Sequence, residues 1–524
     1  MNEERHKYER YIPGSSESRW ADPEEIKSAT TITRIMVDTD NCQGCGLPII
    51  SDGYTVYVDD SDTHTLVFGA TGSKKTRLFV MPLINFFALS GESFIVSDPK
   101  GEIYQKTSGL VSAQGYSIIV LNFRDLNSSS FWNPLKLPYE LYHNGKIDEA
   151  VSLLTDFISS LAAPQRRVTK DPYFIELGCS MALAYFLFFI ETATPDEANI
   201  YNFANFYATK ATPEATEEIS RCVADGSIAS VNFKGVLANK DAKSTFGNVA
   251  ACVSSMINPF IIRKALCQVL SKSSFDVRNI GKEKTAIYII MPDEKTTLHF
   301  LVTAFIKQTY EALIHEAQQQ TDRKLPVRLN IVLDEFGNIP TIPDMASMIS
   351  AARSRNMRFF LMAQGMHQLR NKYDEDAETI KGNCDNWAFL TTREHALLQE
   401  ISNLCGEILF NDLDGNVKTR PLISISELQR LKKEKGEVLI LHGRHYPFVT
   451  ELPDIDDYGF KTYSLLESRA QQLPPIVPYD VDNVIADIKN GKRPIPFSIE
   501  KFGHNTFFSN EGSKEKIVKD IFDW

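Results

Sequence analysis

The chain has 524 residues, of which 43% are hydrophobic and 23% are charged, a composition typical of a soluble globular protein with two or more domains. Its formal net charge of −11 excludes a protein whose entire surface coats nucleic acid, but it leaves room for a local basic channel. The polar opening "MNEERHKYERYIPG" and apolar runs shorter than the ~20 residues of a membrane helix predict a cytoplasmic protein without a signal sequence or transmembrane segment.

Eight cysteines are scattered mainly through apolar segments, which predicts reduced thiols in the core. The exception is the pair Cys42 and Cys45 in "NCQGCGLP". A single C-x-x-C motif supplies half of a tetrahedral zinc site, and no second pair follows at zinc-ribbon spacing. We therefore expect thiols without a metal at this loop.

Short β-branched or aromatic runs recur along the chain with helical segments between them. They are continuously apolar rather than alternating, which is typical of strands that are covered on both faces. In chain order these runs are "TLVFG", "SFIVSD", "SIIVLNF", "TAIYIIMP", "LNIVLDE", "RFFLMAQ", "NWAFLTT" and "EVLILHG". The pattern predicts an α/β fold with a largely parallel sheet flanked by helices.

The alternation is interrupted between Phe123 and Thr285, where about 160 residues have mainly helical signals in their middle. Asp and Thr-Pro pairs stand where helix N-termini favour them, as in "TPDEANIYNFANFYATK" and "TPEATEEISRCVADG". We therefore predict an all-α domain inserted into the α/β domain, and a C-terminal tail that ends in a short amphipathic helix, "EKIVKDIFDW". The predicted divisions are an N-terminal segment 1–58, the first part of the α/β domain 59–133, the inserted domain 134–240, the second part of the α/β domain 241–453 and the tail 454–524.

The stretch "TLVFGATGSKKTRLFV", residues 65–80, has the layout of a nucleotide-binding P-loop: an apolar strand, a glycine-containing turn and a helix. In that motif backbone N–H groups surround phosphate oxygens, a lysine reaches the β- and γ-phosphates, and a Ser or Thr hydroxyl binds Mg²⁺. Lys75 and Thr76 stand at the required spacing after Gly69. The candidate nucleotide-binding residues are Gly69, Ala70, Thr71, Gly72, Ser73, Lys74, Lys75, Thr76 and Arg77.

Lys74 stands where the motif has its second glycine. The residue at this position is expected to take a positive φ, which costs a non-glycine residue roughly 1–2 kcal/mol. Its side chain must also leave the phosphate cradle. We expect a loop that binds nucleotide but positions it less well, with loss of hydrolysis as the alternative.

In "LNIVLDEFGNIP" an apolar strand ends in Asp334 and Glu335. Such an aspartate lies at the carboxyl edge of the sheet, where α/β folds bind ligands, and there it can hold Mg²⁺ together with Thr76. Glu335 can orient and deprotonate an attacking water. An apolar run followed by Asp-Glu is common by chance, but a P-loop upstream favours the functional interpretation.

Three arginines, Arg353, Arg355 and Arg358, cluster before the run that ends at Gln364. In ring ATPases an arginine stabilises charge on the γ-phosphate of the neighbouring subunit, and a glutamine responds to that phosphate. The alternative for the arginines is a solvated basic loop.

Together these motifs resemble the type IV coupling proteins, the hexameric ATPases of conjugative DNA transfer and type IV secretion. The resemblance runs from about Arg19 to Asp457. Besides the P-loop and "LDEFGNIP", it is carried by "SRWADPEEIK", "FIVSDPKGEIY", "FWNPL", "KDPYF", "MAQGMHQLRNKY" and "RPLISISELQRLKKEKGEVLILHGRHYPF".

The resemblance implies a RecA-like P-loop NTPase motor with ATP and Mg²⁺ as cofactors. It makes Lys75 and Thr76 phosphate and Mg²⁺ ligands, Asp334 and Glu335 the Walker B pair, Arg353 the trans-acting finger and Gln364 the sensor. It also implies a homo-hexamer when active, non-specific contact with single-stranded DNA, and partners among relaxases, secreted proteins and the components of a type IV secretion channel. The inserted helical domain would cap the ring on the cytoplasmic side.

Two departures from the family are clear. The family normally has glycine where this chain has Lys74, and it usually carries N-terminal membrane helices, whereas this chain starts almost directly at the motor. The expected location is therefore cytoplasmic, at the inner face of the cell membrane if the protein docks through other proteins.

Three other functions remain open. The first is a nucleotide-binding scaffold that no longer hydrolyses ATP and recruits partners, which Lys74 favours and the intact Glu335, Arg353 and Gln364 oppose. The second is a soluble pump for double-stranded DNA, which the helical insertion and "DPYF" count against. A metabolic P-loop kinase is the least compatible with the sequence because such kinases lack the insertion.

Overall fold

A computed structural model describes residues 10–11, 18–166, 169, 171–292, 294, 296–411, 416–466 and 470–496. The chain forms two compact units. The first comprises Met1–Trp132 and Ser273–Leu473, and the second comprises Asn133–Lys272 together with the chain from Pro474 onward, each within the described residues. The predicted C-terminal helix "EKIVKDIFDW" lies outside the described residues.

The first unit contains the strands of the structure. Their bounds are β1 Arg10–Tyr11, β2 Ile32–Met36, β3 Leu47–Ser51, β4 Thr55–Asp59, β5 Thr65–Gly69, β6 Ser93–Asp98, β7 Ser117–Asn122, β8 Thr285–Ile290, β9 Leu329–Leu333, β10 Met357–Ala363, β11 Asn386–Thr391, β12 Glu407–Asn411, β13 Val417–Pro421, β14 Glu437–His442 and β15 Phe448–Glu451.

Nine of these strands form one sheet in the order β15-β14-β11-β5-β10-β9-β6-β8-β7. Neighbouring strands from β11 to β7 are parallel, whereas β14 and β15 are antiparallel additions at one edge. All eight predicted runs are strands of this sheet, so the α/β class and the largely parallel sheet are confirmed. Smaller sheets of three strands are β2-β4-β3 and β1-β12-β13.

The helices are distributed over both units. Their bounds are α1 Pro23–Lys27, α2 Met81–Ser90, α3 Glu102–Ala113, α4 Lys136–His143, α5 Ile147–Arg166, α6 Tyr173–Thr192, α7 Ile200–Lys210, α8 Pro213–Ser220, α9 Ile228–Leu237, α10 Lys243–Ile257, α11 Pro259–Ile262, α12 Lys264–Val269, α13 Phe300–Gln318, α14 Met345–Ala352, α15 Met366–Tyr373, α16 Asp376–Gly382, α17 His395–Cys405, α18 Ile425–Leu428 and α19 Val481–Lys489.

The core of the first unit explains why the central strands are apolar on both faces. Every residue of β5, β6, β8, β9 and β10 is buried. Helix α2 is also buried along nearly its whole length, and Phe87 of that helix packs against Phe94 of β6 and Phe360 of β10. This packing holds the second half of α2 against the sheet.

In its described part, the second unit is all-helical and comprises α4–α12 and α19. Its central helix, α6, packs through aromatic side chains, with Phe186 stacked on Phe203 of α7 at a centroid distance of 3.4 Å. Within the residues that the structure describes, α6 is the one helix long and apolar enough to cross a membrane, and 61% of that stretch is buried. Burial of this kind is what the predicted core helix requires.

Two helix starts predicted from Thr-Pro pairs have different outcomes. Helix α8 begins at Pro213 with Thr212 as its N-cap, as predicted. Helix α7 begins at Ile200 rather than after Thr194, which corrects the prediction. The physical reason is that the Asn199 side chain caps the helix by accepting the Asn202 amide at 3.0 Å, while Thr194 closes a separate turn with Ala198.

Candidate functional site

The loop between β5 and α2 lies at the carboxyl edge of the parallel sheet and is anchored at its start. The Ala70 amide donates a hydrogen bond to the Thr391 carbonyl at 2.8 Å, which ties the loop to the neighbouring strand β11. A Cβ at Gly69 would lie 2.3 Å from Ser73 Oγ, so a side chain at this position would require Ser73 to move. Gly72 has a φ of 74°, in the left-handed region that favours glycine.

The helix that follows the loop begins with a π-helical turn over Thr76–Val80, which continues into α2. Within that turn, Leu78, Phe79 and Val80 are buried. The first N–H groups of a helix have no partners within the helix, and at other helix N-termini such groups bind anions. The hydroxyl of Ser73 lies in this loop and is buried without a hydrogen-bond partner among the described residues.

Lys74 has a φ of 71°, the positive value that we predicted for this position. Its ammonium group lies 3.4 Å from Asp454 Oδ2, in the segment after β15, so the side chain is drawn toward that segment. Arg77 contacts the same carboxylate through Nε at 2.9 Å and through a terminal nitrogen, which also contacts Asp456. Of the predicted nucleotide-binding residues, Lys74 and Arg77 are thus engaged by acidic side chains.

Lys75 points into the loop. Its side chain is 4% exposed, and its ammonium group donates a hydrogen bond to the Gly69 carbonyl at 2.6 Å. The same ammonium group lies 3.7 Å from Glu335 Oε1. The lysine is therefore held between the loop and the end of β9, with a carboxylate as its nearest counter-charge.

Thr76 and Asp334 meet at the centre of the site. Thr76 Oγ1 donates a hydrogen bond to Asp334 Oδ2 at 2.8 Å, and Ser97 Oγ donates to the Asp334 carbonyl at 2.9 Å. Burial raises the pKa of Asp334 to about 6; the hydrogen bond from Thr76 opposes the rise, and the adjacent Glu335 carboxylate adds to it. A hydroxyl and a carboxylate oxygen at this spacing are hard donors of the type that Mg²⁺ takes.

Glu335 has a φ of 54°, an unusual value for a non-glycine residue, and its carboxylate is fixed on both oxygens. Gln364 Nε2 donates a hydrogen bond to Glu335 Oε2 at 3.0 Å, and Asn338 Nδ2 donates to the same oxygen at 3.2 Å. Oε1 faces Lys75. A carboxylate held in this way is oriented to accept a proton from one direction.

Arg353 does not join this group. It lies in a 3₁₀ turn before β10, whereas Gln364 follows that strand, so the two ends are on the order of 20 Å apart at the usual rise per residue. Its side chain is 43% exposed, and its guanidinium lies 3.0 Å from Asp385. The arginine is thus at the opposite edge of the sheet from the P-loop of its own chain.

Arg358, which we grouped with Arg353 and Arg355 in a basic cluster, is a core residue. It lies inside β10, is 1% exposed and contacts Glu92 at 2.7 Å and Asn330 Oδ1 at 2.9 Å. Its guanidinium also donates to the Cys45 carbonyl at 3.0 Å. This arginine stabilises the interior rather than a solvated loop.

Cys42 and Cys45 are free cysteines that form no disulfide. Burial raises the pKa of the Cys42 thiol to about 12, and Cys45 is buried beside Asp60 and Glu92. Those two carboxylates are already paired with Arg328, and Glu92 also pairs with Arg358. The arginines therefore neutralise the two carboxylates that could otherwise bind a metal cation.

Two residues of the site were not identified from the sequence. Asn338 lies within "LDEFGNIP", three positions after Glu335, so its spacing was available as a signal. Asp454 is separated from Arg77 by 377 positions, and no local pattern relates the two.

A family model for type IV secretory system conjugative DNA transfer matches residues 19–444 of the chain. Among solved structures, the bacterial conjugative coupling protein TrwBdeltaN70, in its unbound monoclinic form, matches with a TM-score of 0.57 at 14% identity, covering 88% of this chain and 96% of that one. TrwB with ADPNP gives a TM-score of 0.57 at 15% identity, and TrwB with ADP and Mg²⁺ gives 0.56 at 14%; each match covers 88% of this chain and 97% of the other. No curated protein sequence matches. At these identities the likeness shows the fold alone.

Proposed function

The chain belongs to the type IV secretory system conjugative DNA transfer family, and from that membership we propose that it is an ATPase of the coupling-protein type. ATP hydrolysis at the carboxyl edge of the sheet drives the transfer of DNA, with a relaxase or a secreted protein, through a type IV secretion channel. The observation that carries this proposal is the hydrogen bond from Thr76 to Asp334, with Lys75 and Glu335 beside it.

The P-loop holds the nucleotide. Backbone N–H groups of residues 70–76 bind the phosphate oxygens, and Lys75 exchanges its contacts with Gly69 and Glu335 for the β- and γ-phosphates. Mg²⁺ held by Thr76 and Asp334 supplies charge neutralisation of the phosphates when it is bound. The TrwB structures with ADPNP and with ADP and Mg²⁺ support this assignment by similarity of fold.

Glu335 accepts the proton of the attacking water. Its Oε2 is occupied by the hydrogen bonds from Gln364 and Asn338, so Oε1 is the oxygen that becomes available when Lys75 turns to phosphate. Gln364 thereby links the position of the base to the strand β10 and its loop. One oxygen of Glu335 is therefore held by hydrogen bonds while the other can accept a proton, an arrangement that favours hydrolysis over simple binding.

Arg353 acts on a neighbouring subunit. Its exposed position at the sheet edge opposite its own P-loop is unsuited to its own site and suited to a site in the next subunit of a ring. A homo-hexamer would repeat that contact around the ring. DNA is held through phosphate contacts, without sequence preference and with a strong dependence on salt.

A second function is favoured by Lys74. Because a side chain stands at this glycine position, the loop can bind nucleotide in a geometry that does not support turnover. The chain would then be a nucleotide-binding scaffold that recruits secretion or DNA-processing partners.

The test is ATP hydrolysis by the purified chain, with and without single-stranded DNA, beside the variants Glu335→Gln and Lys74→Gly. Turnover that DNA stimulates and Glu335→Gln abolishes is the expected result, with Glu375→Gln, an exposed glutamate, as the matched control. Turnover that appears only with Lys74→Gly indicates a motor disabled at one position. Binding of ATP without turnover in every version would favour the scaffold.

A further inference from the structure

We propose that Asp454 is a positioning residue of the P-loop: its carboxylate holds the Lys74 side chain outside the phosphate cradle and so allows a residue with a side chain to occupy a glycine position. The role rests on the proposed nucleotide site, but the contact itself belongs to the folded chain without nucleotide. It assigns to the segment after β15 a part in nucleotide binding.

The first observation is the conformation of Lys74. Lys74 has a φ of 71°, and Gly72, two positions earlier, has a φ of 74°. Two residues with positive φ therefore shape the loop before Lys75. A residue with a Cβ is strained in this region and reverts readily to another conformation. Any contact that forms only in the left-handed conformation therefore stabilises the loop in its binding shape.

The second observation is the ion pair itself. Lys74 Nζ lies 3.4 Å from Asp454 Oδ2, and that carboxylate is 15% exposed. Partial burial makes the pair stronger than an exposed surface pair of the same length. With its charge engaged by Asp454, the Lys74 side chain leaves the backbone N–H groups of the loop open to phosphate.

The third observation is that Asp454 is itself fixed. Arg77 Nε donates a hydrogen bond to Asp454 Oδ2 at 2.9 Å, and the same guanidinium contacts Asp456. Lys106 of α3 contacts Asp456 at 2.9 Å. The acidic segment is therefore held by the first turn of the helix after the P-loop and by α3, which leaves Asp454 little freedom to move away from Lys74.

The sheet explains why this segment reaches the P-loop. Glu437, at the start of β14, pairs with Glu451, at the end of β15, and β14 is antiparallel to β11. The end of β15 consequently lies at the same edge as the end of β11, where Thr391 pairs with Gly69. Asp454 follows that end by three positions, which is a short distance to the P-loop.

The test is a double-mutant cycle with ADP and Mg²⁺ as the probe, measured by isothermal titration calorimetry on the full chain. Asp454→Asn is expected to raise the Kd about tenfold in the chain as it stands, the loss typical of a hydrogen-bonded charge. In a Lys74→Gly background the same change is expected to raise the Kd by a clearly smaller factor, because glycine needs no support there and only the contact with Arg77 is lost. An equal increase in both backgrounds, or none in either, would overturn the inference.

Two controls separate this role from general damage. Asp456→Asn removes contacts to Arg77 and Lys106 but none to Lys74, so its effect should be the same in both backgrounds. Lys74→Met keeps the length and the Cβ but removes the charge, and it should raise the Kd as Asp454→Asn does. A Kd for Lys74→Met equal to that of the unchanged chain would count against the ion pair.

The cycle also distinguishes this inference from the proposed function. If no version binds ADP, including Lys74→Gly, the proposed nucleotide site is wrong. The coupling between Lys74 and Asp454 is then measured by urea denaturation without nucleotide. Asp454→Asn should lower the urea midpoint more in the chain with Lys74 than in the Lys74→Gly background. Equal shifts would overturn the positioning role independently of nucleotide. If Asp454→Asn fails to fold, Lys74→Met tests the ion pair in its place.

Discussion

Thr76 donates a hydrogen bond to Asp334 at 2.8 Å across 258 positions of sequence, and this contact joins the start of the helix after the P-loop to the end of β9. Thr76→Ala removes the hydroxyl and leaves the buried carboxylate with one partner fewer. We expect the Kd for ADP with Mg²⁺ to rise about 10- to 100-fold, the range for hydrogen bonds to a charged group. Isothermal titration calorimetry measures the change, and Thr76→Ser, which keeps the hydroxyl, should stay within about threefold of the unchanged chain.

The pH dependence of Mg²⁺-nucleotide binding follows from Asp334. Burial raises the pKa of this carboxyl to about 6, above the value of 3.8 that it has in an unfolded chain. A cation needs the ionised form, so protons compete with it as the pH falls through about 6. Between pH 7.5 and 5.5 we expect roughly a fourfold loss of affinity from this group, as its ionised fraction falls.

The same shift affects stability with a definite sign. Because the folded state binds the Asp334 proton more tightly than the unfolded state, this group's contribution to stability is complete below pH 3.8 and is lost as the pH rises through about 6. Asp334→Asn should remove both the pH dependence of binding and this part of the stability profile. A variant that kept the full pH dependence of binding would assign it to another group.

Gln364 and Asn338 should affect turnover more than binding. Both donate to Glu335 Oε2, and among the described residues no hydrogen bond joins either of them to the P-loop residues 69–77. Gln364→Ala is expected to lower kcat about 10- to 100-fold, and Asn338→Ala by a smaller factor, with the Kd for ADP changed by less than about threefold. Steady-state kinetics beside calorimetry check this. Parallel losses in kcat and affinity would indicate that these residues shape the nucleotide site itself.

Arg353 can be tested by mixing subunits. Neither Arg353→Ala nor Glu335→Gln should turn over ATP alone, but mixed rings contain sites with an intact Glu335 from one subunit and an intact Arg353 from its neighbour. We expect the mixture to recover a substantial part of the ATPase activity, since an arginine of this kind is worth about 10³–10⁵ in rate. Arg355→Ala, a neighbouring arginine in the same turn, is the control and should retain activity. Recovery absent from every mixing ratio would place Arg353 outside the neighbour's site.

Arg358 should govern stability rather than function. Its guanidinium is buried and pairs with Glu92, so its removal leaves that carboxylate with Arg328 as its remaining counter-charge and leaves a gap in the interior. Arg358→Met is expected to lower the free energy of unfolding by about 3–5 kcal/mol. Urea denaturation measures this, with Arg355→Met as the matched control, for which we expect a change below about 0.5 kcal/mol. A small effect of Arg358→Met would mean that Arg328 alone compensates Glu92.

The sequence by itself determined the local features of this protein. The eight apolar runs became strands and α2 became a core helix, because continuous apolar character specifies burial on both faces whatever the rest of the chain does. The sequence also predicted the P-loop, from the spacing between Gly69 and Thr76, and the acidic pair Asp334-Glu335. Each depends on residues within one turn or one strand.

The tertiary structure decided which distant residues meet. Strand order places β10 beside β5 and β9 on the far side of β10, so that Asp334 reaches Thr76 and Gln364 reaches Glu335. The antiparallel hairpin β14–β15 returns the chain to the P-loop, and this places Asp454 against Lys74. The pairs Thr76–Asp334 and Lys74–Asp454 have no local signal, because crossovers between strands bring together residues that are hundreds of positions apart.

Burial of individual charges was likewise decided by packing. Arg353 and Arg358 are five positions apart and look equivalent in sequence, yet one is exposed at the sheet edge and the other is enclosed in β10. A strand that starts between them turns one side chain into the interior, where Glu92 compensates its charge. Two facts of the tertiary structure therefore distinguish the candidate catalytic arginine from the structural one. These are the residue at which β10 begins and the presence of Glu92 beside Arg358.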